Sequence, residues 1–262
     1  LERFKVRFQG IQEIYHLACP TSAQNFDKYK MQTLRSNSDG MKNILEIATK
    51  YTSKVVFGSS AVVYGPRTED KKMFSEDDLG VYNHLSPRAC YDEGKRFAET
   101  MCATYAEQFR LDVKIARIFR SYGPRLKLND GQMINDFISS ALKGEDLIIY
   151  GDEKFQTSLT FVTDIVDGLV KLMAAPAGTG VVNLGTDYEY DLVDVAKKVI
   201  TAMQSTSKIR FEDPLPFITE LGIPDLRKAK EVLGWFPLVT LDEGLKHTIE
   251  YTVANQGRMG IV

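Results

Sequence analysis

Short apolar runs alternate with longer amphipathic segments along the first half of the chain. Apolar runs occur at Ile11–Ala18, Lys54–Gly58 and Asp112–Phe119, and their length and β-branched content predict buried strands. Residues Tyr29–Tyr51 and Cys90–Gln108 carry apolar side chains at helical spacing and contain no proline, so each is predicted to form one long helix. Helices that alternate with apolar strands predict an α/β protein with a parallel sheet and helices on both of its faces.

The second half continues this alternation with shorter elements, and no linker separates it from the first half. The pattern predicts strands at Leu147–Tyr150 and Gly180–Leu184. Helices are predicted at Gln132–Leu142, Val162–Ala174, Leu192–Met203, Leu226–Leu233 and Leu241–Thr252. We therefore expect a smaller lobe that packs onto the same sheet.

The bulk composition limits the classes of function that the chain can serve. Over 262 residues the formal net charge is −2, which argues against a nucleic-acid groove but leaves room for a local basic pocket. No apolar run approaches the length of a membrane span, so no membrane partner is expected. The three cysteines and three histidines lack metal-ligand spacing, so we expect no metal site and reduced thiols in a cytoplasmic protein.

Tyr91 and Lys95 are the first candidates for chemistry. They are four residues apart, so on a helix they share one face. A free phenol has a pKa of about 10, and lowering it to about 7 requires about 4 kcal/mol of preferential stabilisation of the phenolate. An ammonium group about 4 Å away supplies about that amount at an effective dielectric constant of about 20. The pair is therefore predicted to transfer a proton, although the same spacing also arises by chance between exposed helix residues.

Polar residues follow each predicted strand of the first half. His16–Ser22 follow the first strand, Ser59 and Ser60 follow the second, and Arg120–Arg125 follow the third. Ligands of open parallel sheets bind beyond the carboxyl ends of the strands. These residues and the Tyr91–Lys95 pair are therefore expected to converge on one crevice.

Eight sequence segments together carry a resemblance to a known family. They are HLACPTS (His16–Ser22), NSDGMKNILE (Asn37–Glu46), SSAVVYG (Ser59–Gly65), CYDEGKR (Cys90–Arg96), ARIFRSYGPR (Ala116–Arg125), YGD (Tyr150–Asp152), FVTDIVDGL (Phe161–Leu169) and LGW (Leu233–Trp235). With them the chain resembles the extended short-chain dehydrogenase/reductase family of nucleotide-sugar epimerases, dehydratases and decarboxylases, and most of all its UDP-glucuronate decarboxylases. The resemblance implies a Rossmann-like fold in which residues 1–125 form a partial NAD-binding domain. Residues 126–262 would then form mainly a substrate-binding lobe, with residues 161–185 returning to the sheet.

The resemblance also implies roles for individual residues. Bound NAD would oxidise the sugar at C4, with Tyr91 as base, Lys95 lowering its pKa and binding the nicotinamide ribose, and Ser60 hydrogen-bonding the reacting oxygen. Cofactor contacts are implied for Leu17, Ala18, Asn37, Ser59, Tyr91 and Lys95. Substrate contacts are implied for Pro20, Ser22, Arg120, Arg125, Tyr150 and Thr157. By residue type alone, Ser60 also suits a turn cap, Asn37 a backbone-bonding amide and Arg125 a structural ion pair.

The chain departs from the family pattern at its amino-terminal side. Relatives carry a Gly-x-x-Gly-x-x-Gly turn for the dinucleotide phosphates well upstream of a segment like Ile14–Ala18, whereas here only Leu1–Gln12 precede it. The chain is therefore expected to be a fragment, or to have lost or replaced that portion. We predict that it binds NAD weakly and that the open edge of its first strand self-associates or is completed by another segment.

Further departures concern acid–base and substrate-binding positions. Relatives that decarboxylate carry Glu, and dehydratases an Asp-Glu pair, where this chain has Ala61 and Val62. Two arginines that contact the diphosphate in relatives align with Thr157 and with the Gly222–Ile223 pair. Arg120 stands where relatives usually carry Asn, so it either compensates for these losses or indicates a different ligand.

The sequence thus predicts NAD-dependent modification of a nucleotide sugar through a 4-keto intermediate, with decarboxylation as the leading chemistry. Ala61 and Val62 favour a 4-epimerase, and a 4,6-dehydratase is a further alternative. The missing glycine turn favours an alternative of another class, a relative that binds a nucleotide or a partner chain without catalysis. The family usually dimerises through two helices, so a homodimer through Tyr29–Tyr51 and Leu85–Gln108 is expected.

Overall fold

The structure is a computed structural model that describes residues 10–21, 26–126, 128, 131–215 and 219–259. Its helices are α1 (Phe26–Asn37), α2 (Asp39–Tyr51), α3 (Ala89–Phe109), α4 (Met133–Lys143), α5 (Val162–Ala174), α6 (Leu192–Met203), α7 (Arg227–Leu233), α8 (Leu241–Ala254) and α9 (Gln256–Met259). Its strands are β1 (Glu13–His16), β2 (Lys54–Ser60), β3 (Met73–Phe74), β4 (Val113–Ile118), β5 (Ser121–Tyr122), β6 (Leu147–Tyr150), β7 (Gln156–Thr157), β8 (Thr160–Phe161), β9 (Val181–Leu184), β10 (Tyr190–Asp191), β11 (Ile209–Glu212) and β12 (Ile223–Pro224).

A four-stranded parallel sheet in the order β1-β2-β4-β9 forms the centre of the first half. Successive side chains of a strand point to opposite faces, so each strand supplies two cores. Val55 and Phe57 pack with α2 and α3 on one face, and Val56 packs with α5 on the other. The predicted parallel sheet with helices on both faces is confirmed.

A second core lies in the carboxy-terminal lobe. Helices α4, α6 and α8 pack around Phe137, Leu147 and Val195, which are all fully buried or nearly so. The chain returns from this lobe through β8 and α5, and β9 then pairs with β4 in the main sheet. This path agrees with the predicted return of residues 161–185, while the division into two domains stays a prediction.

The prediction of one helix over Tyr29–Tyr51 is wrong. Two helices, α1 and α2, are separated at Ser38, whose backbone has φ −108° and ψ −87°. The hydroxyl of Ser38 donates to the carbonyl of Leu34 at 2.8 Å, a back-bond that bends helices, and Gly40 follows directly. A pattern of apolar spacing does not register such a bend, because the bend comes from a side-chain hydrogen bond and not from the apolar positions.

Strand β1 is shorter than the predicted run Ile11–Ala18 and covers Glu13–His16. Within the described part of the chain it has a neighbour on one side only, β2, and Tyr15 is 41% exposed. Three other predicted elements, the strand Leu147–Tyr150 and the helices Val162–Ala174 and Leu192–Met203, have the predicted bounds. Among the described residues, no helix has both the length and the apolar character needed to cross a membrane.

Candidate active site

A cavity of about 560 Å³ lies at the carboxyl ends of β2 and β4, between the sheet and the carboxy-terminal lobe. Its polar and charged lining residues are Thr21, Ser59, Ser60, Arg88, Tyr91, Lys95, Arg120, Ser121, Gln132, Asp136, Ser140, Tyr150 and Thr219. Apolar side chains complete the wall, among them Val62, Phe119 and Ile165. A cavity of this size, mostly apolar and with a few convergent polar groups, is typical of a small-molecule site.

Tyr91 lies in the first turn of α3, and its side chain is buried against Val62 and the two half-buried cysteines Cys19 and Cys90. Ser60 is the last residue of β2 and caps the short 3-10 helix Ala61–Tyr64, accepting from the backbone N–H of Val62 at 3.4 Å. The hydroxyls of Tyr91 and Ser60 form a hydrogen bond. The strand end and the helix start therefore bring together a phenol and a hydroxyl at the wall of the cavity.

Lys95 lies one helical turn after Tyr91 and is 3% exposed. Its Nζ donates to the carbonyl oxygen of Gly58 at 2.7 Å and lies 5.8 Å from the centre of the Tyr91 ring. Burial lowers the pKa of Lys95. An ammonium group has three donors, so this hydrogen bond leaves two for other acceptors.

Burial raises the pKa of Tyr91, and the nearby Cys19 raises it further, while the hydrogen bond with Ser60 and the charge of Arg88 oppose the shift. The sequence-based expectation that Lys95 brings this pKa close to neutral counted the charge of the lysine and left out the loss of water around the phenol, which acts against it. Any additional positive charge in the cavity would shift the pKa of Tyr91 downward.

The ends of β1 and β2 form the other side of the cavity. Leu17 is half exposed there, and a Cβ on Gly58 would approach its Cδ2 to 2.7 Å, so Gly58 permits this close packing. His16 stacks on Phe57 with ring centroids 5.7 Å apart. Burial first, and the charge of Lys95 next, lower the pKa of His16 to about 4, so at neutral pH it is an uncharged packing residue.

Two arginines lie in the cavity wall near the tyrosine. The guanidinium of Arg88 lies 5.9 Å from the centre of the Tyr91 ring and is held by a two-point salt bridge to Asp92, with Nε–Oδ2 at 3.1 Å. Arg120 follows β4, and its Nε is buried without a hydrogen-bond partner. Burial, and then the charge of Arg88, lower the pKa of Arg120 to about 10.

A buried polar network fixes the ends of the strands below the cavity. Ser59 donates to Glu99 at 2.5 Å, and Glu99 forms a salt bridge with Arg117 of β4 at 2.8 Å. Arg117 also lies over the ring of Tyr64, whose hydroxyl donates to Asn183 of β9 at 2.7 Å. Three strands and α3 are thereby connected, which holds Ser60 and Tyr91 in a fixed relation.

The sequence model of a protein family described as "NAD dependent epimerase/dehydratase family" matches residues 1–185. The chain belongs to this family. It is 40% identical over 242 residues to "UDP-glucuronic acid decarboxylase 1" of Xenopus tropicalis, covering 92% of this chain. The chain spans 56% of the length of that relative.

Solved structures of the epimerase/dehydratase family share this fold. UDP-glucose 4-epimerase of Thermotoga maritima, in a structure with UDP-glucose, superposes with a TM-score of 0.85 at 26% identity over 94% of this chain and 78% of that one. UDP-glucuronic acid 4-epimerase of Bacillus cereus, in complex with UDP-glucuronic acid and NAD, gives a TM-score of 0.83 at 25% identity over 93% and 76%. The Rossmann-like fold predicted from sequence is confirmed.

The residues of this family member fit the nicotinamide end of NAD. Tyr91, Lys95 and Ser60 converge on the cavity, and two donors of the Lys95 ammonium are free of Gly58. No Gly-x-x-Gly-x-x-Gly turn occurs anywhere in the printed sequence, so no residues of that kind can be assigned to the dinucleotide phosphates. The fit therefore concerns the reacting end of the cofactor.

The cavity contains seven of the predicted site residues, namely Leu17, Ser59, Ser60, Tyr91, Lys95, Arg120 and Tyr150. Five others do not line it, namely Ala18, Pro20, Asn37, Arg125 and Thr157. The predicted substrate contact Ser22 lies outside the described residues. The prediction that all strand-end residues meet in one crevice is therefore only partly met by the geometry.

Predicted site residues that do not line the cavity either bond to other protein groups or are exposed to solvent. The amide of Asn37 donates to the carbonyl of Thr33 at 2.9 Å and to the sulfur of Cys19 at 3.2 Å. Thr157 is buried, and its hydroxyl donates to the carbonyl of Ser158 at 3.3 Å. Arg125 is exposed at a positive φ of 69°. Their predicted ligand contacts stay predictions without support from this geometry.

Sequence reasoning missed several residues of the cavity wall, above all Arg88, Gln132 and Asp136. Arg88 directly precedes α3, three residues before Tyr91, so its position next to a catalytic candidate was a usable signal. Gln132 and Asp136 lie at the start of α4, in the second lobe. Their approach to the sheet depends on the packing of the two lobes, which no local pattern specifies.

Proposed function

We propose that this protein catalyses an NAD-dependent modification of a nucleotide sugar through a 4-keto intermediate, with a UDP-glucuronic acid decarboxylase as the leading candidate. The observation that carries the proposal is the hydrogen-bonded Tyr91–Ser60 pair with Lys95 one turn away, set in the wall of a large cavity. The 40% identity to the Xenopus tropicalis decarboxylase supports this choice of substrate.

The side chains have complementary tasks in such a reaction. Tyr91 takes the proton of the sugar hydroxyl as hydride leaves the same carbon, and Ser60 hydrogen-bonds the reacting oxygen. Lys95 stabilises the phenolate by its positive charge and keeps a donor available for a hydroxyl of the cofactor. NAD, when bound, would accept the hydride, and the same hydride would return to the sugar at the end of the reaction.

The ketone made at C4 explains why one site can serve several outcomes. A carbonyl next to a reacting carbon stabilises the negative charge that develops when a carboxylate or a proton leaves. Loss of carbon dioxide leaves the electron pair of the broken C5–C6 bond on the enolate of this ketone, and C5 then takes up a proton from water. The buried positions of Ala61 and Val62 supply no acid or base, because neither side chain can exchange a proton.

A 4-epimerase is the second candidate, and Val62 is the observation that favours it. Val62 lines the cavity beside Tyr91, so the position of the carboxylate expected in decarboxylating relatives is apolar here. Epimerisation requires only oxidation, rotation of the ketone and reduction from the other face. The likeness to two solved 4-epimerases supports keeping this alternative.

Product analysis separates these candidates. The protein is incubated with NAD and with UDP-glucuronic acid labelled with carbon-13 at C6, and products are identified by NMR. Labelled carbon dioxide with a UDP-pentose supports the decarboxylase, and an isomeric UDP-hexuronic acid supports the epimerase. Because the chain spans 56% of the length of its decarboxylase relative, the assay is run on this chain and on the complete product of its gene.

Tyr91→Phe removes the proposed base and is expected to abolish product formation while leaving ligand binding intact. Tyr105→Phe is the matched control, since Tyr105 lies on the same helix but packs against Phe109 away from the cavity. Wild-type activity of Tyr91→Phe would contradict the proposal. So would the absence of any product from UDP-glucuronic acid with both this chain and the complete gene product. A protein that binds UDP-sugars without product would be the non-catalytic relative considered above.

We also infer a homodimer through residues 29–51, which form α1 and α2, and residues 85–108, which include most of α3. These helices expose large apolar side chains, with Met31 59% and Phe97 53% exposed, as is common at protein interfaces. Light scattering is expected to give twice the chain mass, and Phe97→Glu to give a monomer. A monomeric wild-type protein would overturn this inference.

We further infer a cytoplasmic location, for which the three free cysteines are the only support.

A further inference from the structure

We propose that Arg120 recognises an anionic group of the substrate, with Arg88 as a second cation on the same side of the cavity. The proposal rests on the proposed function for the identity of the substrate, a nucleotide sugar. The anion is either the diphosphate or the carboxylate of a uronic acid.

Arg120 is a buried cation that forms no salt bridge with any of the described residues. Its Nε is inaccessible to solvent and has no hydrogen-bond partner within the described part of the chain. After burial, the charge that shifts its pKa most is the like charge of Arg88, which lowers it. A guanidinium left in this state is costly, so a native site that retains one is expected to meet an anion.

The position of Arg120 places it near the proposed chemistry. It follows β4 by two residues, and the end of β4 at Ile118 is the register partner of Ser60 at the end of β2. Its backbone carbonyl accepts from the N–H of Thr160 at 3.0 Å, which fixes the backbone at the junction of the two lobes. The side chain is thus held on a rigid segment that faces the same cavity as Ser60.

Arg88 adds a second positive charge to this part of the wall. Its salt bridge to Asp92 holds its guanidinium near the ring of Tyr91 and neutralises part of its charge. Arg88 and Arg120 still repel each other, as the lowered pKa of Arg120 indicates. An anion bound between them would relieve this repulsion and gain two charge-assisted contacts.

The start of α4 contributes an amide and a carboxylate to the surroundings of Arg120. Asn135 is fully buried, and neither its amide nitrogen nor its amide oxygen has a hydrogen-bond partner among the described residues. It lines a cavity of about 10 Å³ together with Arg120 and Gln132, and that volume is about enough for one water molecule. Asp136 contributes a carboxylate to the wall of the main cavity.

Calorimetric binding measurements test the proposal with UDP, UDP-glucose, UDP-glucuronic acid and inorganic diphosphate as probes. Arg120→Gln is expected to weaken binding of the recognised anion by about tenfold to a hundredfold, and Arg120→Lys to weaken it less. Arg227→Gln is the matched control, because Arg227 is 80% exposed, bridges Asp225 and does not line the cavity. It is expected to bind every probe as the wild type does.

The four probes separate the two sources of the anion. If Arg120 binds the diphosphate, Arg120→Gln loses affinity for UDP, both UDP-sugars and inorganic diphosphate alike. If it binds the sugar carboxylate, only UDP-glucuronic acid is affected. Wild-type affinity of Arg120→Gln for all probes, or a wild-type protein that binds none of them, overturns the proposal.

Thermal unfolding without ligand distinguishes a binding role from a structural one. An unpartnered buried guanidinium is expected to destabilise the free protein, so Arg120→Gln should unfold at the same or a higher temperature than the wild type. A clear loss of thermal stability would show that Arg120 supports the fold and would count against the proposal. Binding and turnover are measured separately, so the two proposals can fail independently. If Arg120→Gln has altered affinity but the wild type forms no product, only the proposed reaction is refuted. If the wild type forms product and Arg120→Gln has unaltered affinity, only this inference is refuted.

Discussion

Replacing Lys95 with methionine tests the electrostatic part of the proposed mechanism. Methionine has nearly the length of the lysine stem and no charge, so it fills the buried site while removing the cation near Tyr91. The ammonium lies 5.8 Å from the centre of the tyrosine ring. At an effective dielectric constant of about 20, a unit charge at about 6 Å stabilises the phenolate by about 3 kcal/mol, or about two pKa units.

The sign of the effect follows from the role of Tyr91 as a base. Activity that requires the phenolate rises with pH through the pKa of Tyr91, so removing the cation shifts this limb of the profile upward by about two pH units. Below the limb, kcat/KM falls by about a hundredfold. The assay is kcat/KM for UDP-glucuronic acid as a function of pH.

Two controls accompany this experiment. Lys95→Arg keeps the charge and is expected to keep the limb close to its wild-type position, and Lys197→Met removes a lysine that is 63% exposed on α6. Thermal unfolding checks that Lys95→Met folds, since the carbonyl of Gly58 loses its donor. If Lys95→Met shows the wild-type limb, Lys95 does not control the ionisation of Tyr91, and the charge-based account of this pair fails.

Two further predictions concern the stability of the fold. The pKa of His16 is lowered from 6.5 to about 4 in the folded state. The unfolded chain therefore binds a proton at higher pH than the folded chain does. About 3 kcal/mol of the free energy of unfolding, present above pH 6.5, is lost as pH falls to about 4. Urea unfolding at both ends of this range should show a smaller pH dependence for His16→Gln, and an unchanged dependence would contradict the assignment. Gly65 has φ +79°, and a Cβ there would approach the carbonyl oxygen of Val81 to 2.1 Å, so Gly65→Ala is expected to cost about 3 kcal/mol or more in the same assay. Gly178→Ala, at φ +85° with open space, should cost about 1 kcal/mol, and equal losses for the two would refute the steric argument.

The central sheet and the core of the candidate site could be predicted from sequence because both depend on local signals. The run Lys54–Gly58 is apolar and β-branched, and only a strand buried on both faces accommodates it, as the two cores around Val55 and Val56 confirm. Ser60 and Tyr91 follow from the same reasoning, since one ends a strand and the other begins the next helix. The rule that ligands bind at carboxyl ends then places both in one cavity.

Other features depend on tertiary packing that a linear pattern does not contain. The pKa of Tyr91 rises because Val62 and neighbouring side chains exclude water, and no spacing of residues reports that exclusion. Asn37 is predicted to contact the cofactor, but its amide donates to Thr33 and Cys19. Gly222, the expected place of an arginine, lies so close to the carbonyl of Lys72 that a Cβ would approach it to 2.3 Å.

The measurement that tests the central claim most directly follows the hydrogen at C4. The protein is incubated with NAD and UDP-glucuronic acid deuterated at C4, and the product is analysed by mass spectrometry. If Tyr91 and bound NAD oxidise and then reduce C4 in one site, the product retains the deuterium at C4, and Tyr91→Phe gives no product. Product without deuterium, or product formed by Tyr91→Phe at the wild-type rate, would contradict the account.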